Sequence, residues 1–245
     1  VRKKLKETKQ KNFWRIFKAS RFVRSKFEGD KQKLIDYYSK NGYRDINILG
    51  DSVWKNADGT VSVKLNIEEG QKYYFGNIKF SGNYLYTSEY LTNILNIEKG
   101  DVYNMELLQK KLNYNPSGLD ISSLYMDDGY LFFSVDPHEV AVNKDSIDIE
   151  LRMNEGAQAR INRITIQGNT KTNDHVILRE VRTLPGEKFS RSDLIRTNQQ
   201  LASMGYFDPE KIGINPVPNP QDGTVDIHYS VEEKPSDQIE LSGGW

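Results

Sequence analysis

Two short stretches of this chain say nearly the same thing 86 residues apart: residues 78–83 read IKFSGN and residues 164–169 read ITIQGN. Other landmarks recur at that spacing. IEKG ends at Gly100 and TLPG at Gly186, while EEG ends at Gly70 and NEG at Gly156. A looser series, NGY, DGY and MGY, ends at Tyr43, Tyr130 and Tyr206. Constant spacing means one structural unit used repeatedly, and at about 75–85 residues it is longer than a solenoid repeat. It is large enough for a small core of its own, although domains of this size bury only ~60% of their chain surface. The pattern predicts a tandem array of small domains.

The third copy is the cleanest. Ile161, Ile164 and Ile166 form a short apolar-rich run that stops at the turn pair Gly168-Asn169, which predicts a strand. Thr172 or Asn173 is placed to cap a helix carrying Val176, Ile177 and Val181, ended by Pro185-Gly186. Ser190 with Asp193 resembles a capping box, and Leu194, Leu201 and Met204 give helical spacing up to Gly205. Two strands close the unit, KIGINPV and TVDIHYSVEE, joined by the turn-rich PNPQDG. Val225, Ile227, Tyr229 and Val231 alternate strictly, so the last strand turns one face to a core. The unit reads strand–helix–helix–strand–strand.

The second copy follows the same plan. Ile78 and Phe80 lie in its first strand, residues near 87–96 form a helix, and a longer helical region spans about 105–127. The extra length falls near 113–123, where Pro116 and Gly118 must interrupt the helix. Closing strands are expected near 131–142 and 146–153. The first copy lacks its opening strand: a basic amphipathic segment leads to a helix over residues 31–43 and strands near 45–54 and 60–68. The expected domains are 1–72, 73–157 and 158–236, with 237–245 as a tail. A chain that opens on Val1 with an incomplete unit is expected to belong to a longer array.

Composition narrows the function classes. The 34 basic and 34 acidic residues balance, so the overall field selects no polyanionic partner. There is no cysteine, which removes disulfides, thiolate catalysis and cysteine metal sites. No apolar run approaches the ~18 residues of a membrane helix. His138, His175 and His228 match no paired metal motif, no phosphate loop occurs, and MDDGYLFFSVD has no acidic ligand at the twelfth position of a calcium loop. DDG reads instead as a helix end running into a turn. No enzyme and no cofactor are expected.

The N-terminal segment is unusual. From Arg2 to Lys33 there are 13 Lys or Arg against three acids, interleaved with Phe13, Trp14, Phe17, Phe22 and Phe27. Such a mixture suits anionic lipid or nucleic acid. Lys3, Lys4, Trp14 and Arg15 are the candidate partner or lipid contacts. The plainer account makes Phe13, Ile16 and Phe17 the apolar stripe of a helix and the lysines its solvated face.

The pattern of strand–helix–helix–strand–strand, a GY before the closing hairpin and a terminal EG resembles the POTRA domain family. The ending VEEKPSDQIELSGGW looks like the junction where a last POTRA domain enters an outer-membrane β-barrel, with residues 237–245 starting a barrel strand. The resemblance implies an α+β fold whose units each have a mixed three-stranded sheet with two helices on one face. It implies that the closing strand is central and the opening and penultimate strands are edges. It further implies the periplasm of a Gram-negative bacterium, tethered to the outer membrane. The partners would be unfolded outer-membrane protein precursors, accessory lipoprotein subunits and the chain's own C-terminal barrel, with no nucleic acid.

An edge strand offers unpaired backbone groups to which an unfolded chain can add as another strand, whatever its sequence. Six such bonds at ~0.5–1.5 kcal/mol sum to ~3–9 kcal/mol before ordering costs, which gives transient capture. The penultimate strands differ in availability. Pro216 and Pro218 guard the third and Pro137 the second, whereas 45–54 has no proline and only Gly50 to bulge it. Asp45, Ile46, Asn47, Ile48, Leu49, Val53 and Trp54 are therefore the expected peptide-binding edge. The competing classes are a POTRA array of a two-partner secretion or translocation transporter and a basic lipid- or nucleic-acid-binding module.

Overall fold

The structure is a computed structural model that describes residues 22–113, 115 and 118–234. Its elements run α1 (Arg24–Lys40), β1 (Asn47–Lys55), β2 (Val61–Glu68), β3 (Tyr74–Ser81), α2 (Ser88–Leu95), α3 (Met105–Asn113) and α4 (Ile121–Asp127). They continue with β4 (Ser134–Asn143), β5 (Ser146–Asn154), β6 (Arg160–Gln167), α5 (Asp174–Leu178), α6 (Arg191–Ser203), β7 (Gly213–Asn219) and β8 (Thr224–Ser230). Packing divides the described chain into two compact units. One takes the residues up to Ser81 with Leu95–Lys110 and Pro137–Arg152; the other takes Gly82–Ile94, Lys111–Asp136 and the residues from Met153 onward.

In the first unit, β1 and β2 form an antiparallel pair. Helix α1 buries Phe27, Leu34 and Tyr38 along one stripe. It begins at Arg24, earlier than the expected 31–43, because Phe27 belongs to that stripe although the polar, Gly29-containing stretch after it masks the periodicity. Strand β3 runs parallel to β5 in a sheet of order β3-β5-β4. The closing strand is central, as the α+β resemblance implies. Along β5, Ile147, Ile149 and Leu151 are buried in strict alternation.

In the second unit the sheet order is β6-β8-β7, with β6 parallel and β7 antiparallel to the central β8. Val225, Ile227 and Tyr229 are fully buried and pack with Ile161, Ile177, Val181, Phe189 and Leu201, so α5 and α6 cover one face. The Ser190 side chain caps α6 by accepting the Asp193 N–H, and Gly205 is left-handed at φ +78°. One expectation needs correction: α5 ends at Leu178, well before Pro185-Gly186. The chain leaves the helix because Thr183 must reach the buried Tyr229 hydroxyl at 2.7 Å and the Arg182 N–H must reach Thr197 at 3.0 Å. Between α3 and α4 the helix is broken as expected; Gly118 is left-handed at φ +71°, and Pro116 lies outside the described residues.

The 86-residue echo is a repeat of hydrogen bonds. Phe75 donates to Asp101 O and Ile161 to Glu187 O, each at 2.8 Å. Gly100 donates to Phe75 O at 2.8 Å, and Gly186 to Ile161 O at 2.7 Å. The opening corners match as well. Gly82 and Gly168 both have positive φ, and a Cβ on either would collide with a carbonyl oxygen, that of Met153 or of Val231. Only glycine fits that corner.

Candidate functional site

Strand β1 pairs only with β2 among the described residues, so its other side is an edge. The register skips between Ile48 and Gly50, which makes Leu49 the extra residue of a bulge and leaves it 64% exposed. Val53 faces Val63, and Trp54 faces Ser62 with its indole half exposed. Alongside this edge, Ile48, Gly50 and Asp51 of β1 with Glu28, Lys31, Gln32 and Ile35 of α1 line a shallow groove of about 250 Å³.

Charge fixes the wall of that groove. Lys31 Nζ reaches Glu28 at 2.6 Å and Asp51 at 2.9 Å, and Arg24 reaches the other Asp51 oxygen at 2.9 Å. The bonds to Glu28 and then Asp51 raise the Lys31 pKa, while the bond from Lys31 lowers that of Asp51. The pairs hold α1 against the edge strand and leave Ile35 and Ile48 as its apolar floor. A groove beside an open edge suits an extended backbone with one apolar side chain turned inward.

Of the expected edge residues, Asn47, Ile48, Leu49, Val53 and Trp54 lie in β1. Asp45 and Ile46 precede it. Asp45 is engaged by Arg44 at 2.9 Å and by the Tyr73 hydroxyl at 2.8 Å, and the Arg44 bond chiefly depresses its pKa. Its side chain is thus part of a polar cluster at the foot of the strand. Lys3, Lys4, Trp14 and Arg15 lie outside the described residues.

The other two penultimate strands are also edges. Pro216 and Pro218 are two residues apart in β7, so their ring nitrogens face the same way. The pairing to β8 runs unbroken past both, which places the missing donors on the outer side. On β4, Pro137 removes one donor, while Val140 and Val142 further along are about half exposed. The histidines do not converge. His228 meets Thr165 on the uncovered face of its sheet, and no group of three or more metal-binding side chains occurs among the described residues.

Two features had no signal in the sequence reading. Tyr103 donates to Glu139 at 2.5 Å, and Arg44 reaches the other Glu139 oxygen at 2.6 Å. Burial first, then the bond to Glu139, raises the Tyr103 pKa. Second, the terminal acidic residue of each complete repeat clamps that repeat's opening corner. Both link residues far apart in the chain, and only the repeat spacing hints at the second.

The repeated strand–helix–helix–strand–strand unit with a central closing strand defines a class, and the chain belongs to the POTRA domain family, whose model (surface antigen variable number repeat) matches residues 2–70, 73–156 and 159–234. Among curated proteins it is 29% identical over 237 residues to the outer membrane protein assembly factor BamA of Neisseria meningitidis serogroup B, covering 94% of this chain and 28% of that protein. It is 27% identical over 249 residues to BamA of Neorickettsia risticii, covering 100% of this chain and 32% of that protein. The chain therefore spans less than a third of the length of these relatives. The crystal structure of Haemophilus influenzae BamA POTRA3-5 shares the fold, with a TM-score of 0.66 and 23% identity over 88% of this chain and 83% of that one.

Proposed function

We propose that this POTRA array is a periplasmic binding and scaffolding region of an outer-membrane β-barrel assembly machinery. It captures unfolded outer-membrane protein precursors by adding them as a strand to an exposed sheet edge, and accessory lipoprotein subunits dock on the same array. Likeness to BamA proteins over nearly the whole chain supports the role in assembly.

The observation that carries the mechanism is the contrast between edges. Strand β1 keeps its edge donors and lies beside an apolar-floored groove, whereas β7 has lost two outward donors to Pro216 and Pro218. Backbone pairing accepts any sequence, which a receptor for many precursors needs. Its net strength of ~3–9 kcal/mol for six bonds, less the cost of ordering a disordered chain, gives a complex that releases its cargo.

Photo-crosslinking residues placed at Ser52 and at Val217 test this, with an unfolded outer-membrane barrel protein as ligand. Capture at Ser52 should exceed capture at Val217. Equal or stronger capture at the proline-bearing edge would sink the mechanism.

A further inference from the structure

The chain contains two joints between successive repeats, each inside one compact unit. They share a backbone. At the first, Tyr73 donates its N–H to Gly42 O at 2.8 Å; at the second, Ala159 donates to Gly129 O at 2.7 Å. Gly70 stands against Asp45 as Gly156 stands against Phe132: a Cβ on either glycine would lie 3.2 Å from the Cβ of that neighbour.

The side chains that fill the two joints are of opposite kind. At the second, Met126, Leu131 and Phe132 pack against the core of the third repeat. Counted from the shared glycine, their counterparts at the first are Ser39, Arg44 and Asp45. Arg44 bonds Glu139 at 2.6 Å and Asp45 at 2.9 Å, and its guanidinium lies 4.7 Å from the centre of the Tyr73 ring. Lys40 pairs with Glu106 at 2.7 Å. Beside these pairs is a cavity of about 370 Å³ lined by Ser39, Lys40, Arg44, Tyr103, Glu106 and Glu139 among others.

We infer that the first joint is an ion-pair latch, opened as salt screens it, whereas the second is an apolar seal that salt leaves shut. The physical basis is the difference in what each contact loses to water. Arg44, Asp45, Glu139, Lys40 and Glu106 all keep part of their side chains in solvent, so ions reach them. The screening length falls from ~30 Å at 0.01 M salt to ~3 Å at 1 M. Burial of Met126, Leu131 and Phe132 carries no such dependence. Ion pairs such as Lys188–Asp128 at 2.9 Å also border the second joint, but there they supplement the packing of Met126, Leu131 and Phe132, whose counterparts at the first joint are polar or charged. The cavity keeps these charges within reach of solvent ions: Lys40, Arg44, Glu106 and Glu139 all line it. Asp45 lies at the foot of β1 and Glu139 lies within β4, so the latch joins two edge strands.

Distances between spin labels test this on the chain as it is, since it has no native cysteine. Lys64→Cys with Val142→Cys reports the first joint, and Tyr90→Cys with Ile195→Cys the second, each pair lying within one unit. Raising salt from 0.05 to about 1 M should broaden the first distance distribution and leave the second unchanged. Arg44→Gln should broaden the first already at low salt. Arg44→Leu with Asp45→Phe, which installs the second joint's pair, should make the first insensitive to salt. A first distribution that ignores both salt and Arg44→Gln, or two joints that broaden alike, would overturn the latch. If the double variant fails to fold, the salt series and Arg44→Gln still decide.

Discussion

The Glu155 carboxylate accepts the backbone N–H of Tyr84 at 2.9 Å across 71 residues of sequence, and that of Leu85 from the same oxygen. Glu233 makes the equivalent clamp in the next repeat, accepting Thr172 N–H at 2.6 Å, Lys171 N–H at 2.9 Å and the Thr170 hydroxyl at 2.8 Å. The final acidic residue of a repeat thus closes over the glycine corner that begins it. In the first repeat the corresponding Glu69 accepts the Tyr38 hydroxyl at 2.6 Å.

The clamp predicts an acid limb in the stability profile. Loss of water would raise the Glu233 pKa, but hydrogen bonds from Thr170, Thr172 and Lys171 outweigh it and hold the group at about 2. A carboxylate depressed on folding stabilises fully above its unfolded value of 4.5, and that contribution fades as pH falls toward 2. Urea unfolding between pH 6 and about 2 should show this loss. The Glu233→Gln variant should lack that part of the dependence, and identical profiles would refute the clamp.

A complementary alkaline limb follows from Tyr38. Its hydrogen bond to Glu69, aided by burial, raises its pKa from 10.0 to about 12. The proton is held more tightly in the folded state, so the contribution is complete below pH 10 and is lost as pH rises toward 12. In Tyr38→Phe, absorbance at the phenolate band should lose the step at about 12, and the melting temperature should fall less between pH 9 and about 11 than in the parent.

Much of the fold was legible because it depends on local pattern. Alternation along Val225, Ile227, Tyr229 and Val231 announced a strand with one buried face, and Ser190 with Asp193 announced a helix start; both occur. What stayed hidden depends on partners distant in sequence. Strands β3 and β6 each carry a bulge opposite one aspartate of the closing strand. Asp148 accepts the Asn77 N–H at 2.6 Å, and Asp226 accepts Asn162 and Arg163 at 2.8 Å. Nothing near Asn77 signals an aspartate 71 residues away. The candidate edge was legible as a proline-free strand, but its groove was not, because α1 and β1 are brought together by Lys31 and Asp51.

Glycine at the opening corner is required twice over, and two alanine substitutions separate the reasons. Gly100 and Gly168 have nearly the same φ, +96° and +93°. A Cβ on Gly100 meets nothing within 4 Å, whereas on Gly168 it collides with the Val231 carbonyl. Gly100→Ala should cost about 1 kcal/mol from backbone strain alone. Gly168→Ala should cost at least about 1–2 kcal/mol more, because the corner must move to relieve the overlap. Chemical denaturation of the two variants measures the difference.

Asp120 is the buried cap of α4, 1% exposed, and it accepts Ser123 N–H at 2.8 Å, the Ser123 hydroxyl at 2.7 Å and Asn115 N–H at 3.0 Å. Removing the carboxylate leaves buried donors without an acceptor, so Asp120→Ala should destabilise by about 2–3 kcal/mol. Asp120→Asn keeps one carbonyl oxygen and should cost less. Equal losses in urea unfolding would mean that charge, not acceptor count, holds the cap.

The sharpest test of the edge contrast is to create an edge, not to remove one. Pro216 and Pro218 lie on β7 with their missing donors facing outward, opposite Ile227 and Val225 on the central strand. Replacing both by valine restores two outward N–H groups without touching the ladder to β8, and valine favours the extended backbone. The sheet should remain intact, with an unchanged far-ultraviolet spectrum. A crosslinker at Val217 should then capture the unfolded barrel substrate at a level approaching that at Ser52. The freed edge should also make the array more prone to self-association at high concentration, since an unguarded edge accepts any strand. If the double substitution folds and Val217 still captures no more than before, the prolines are not what keeps that edge closed.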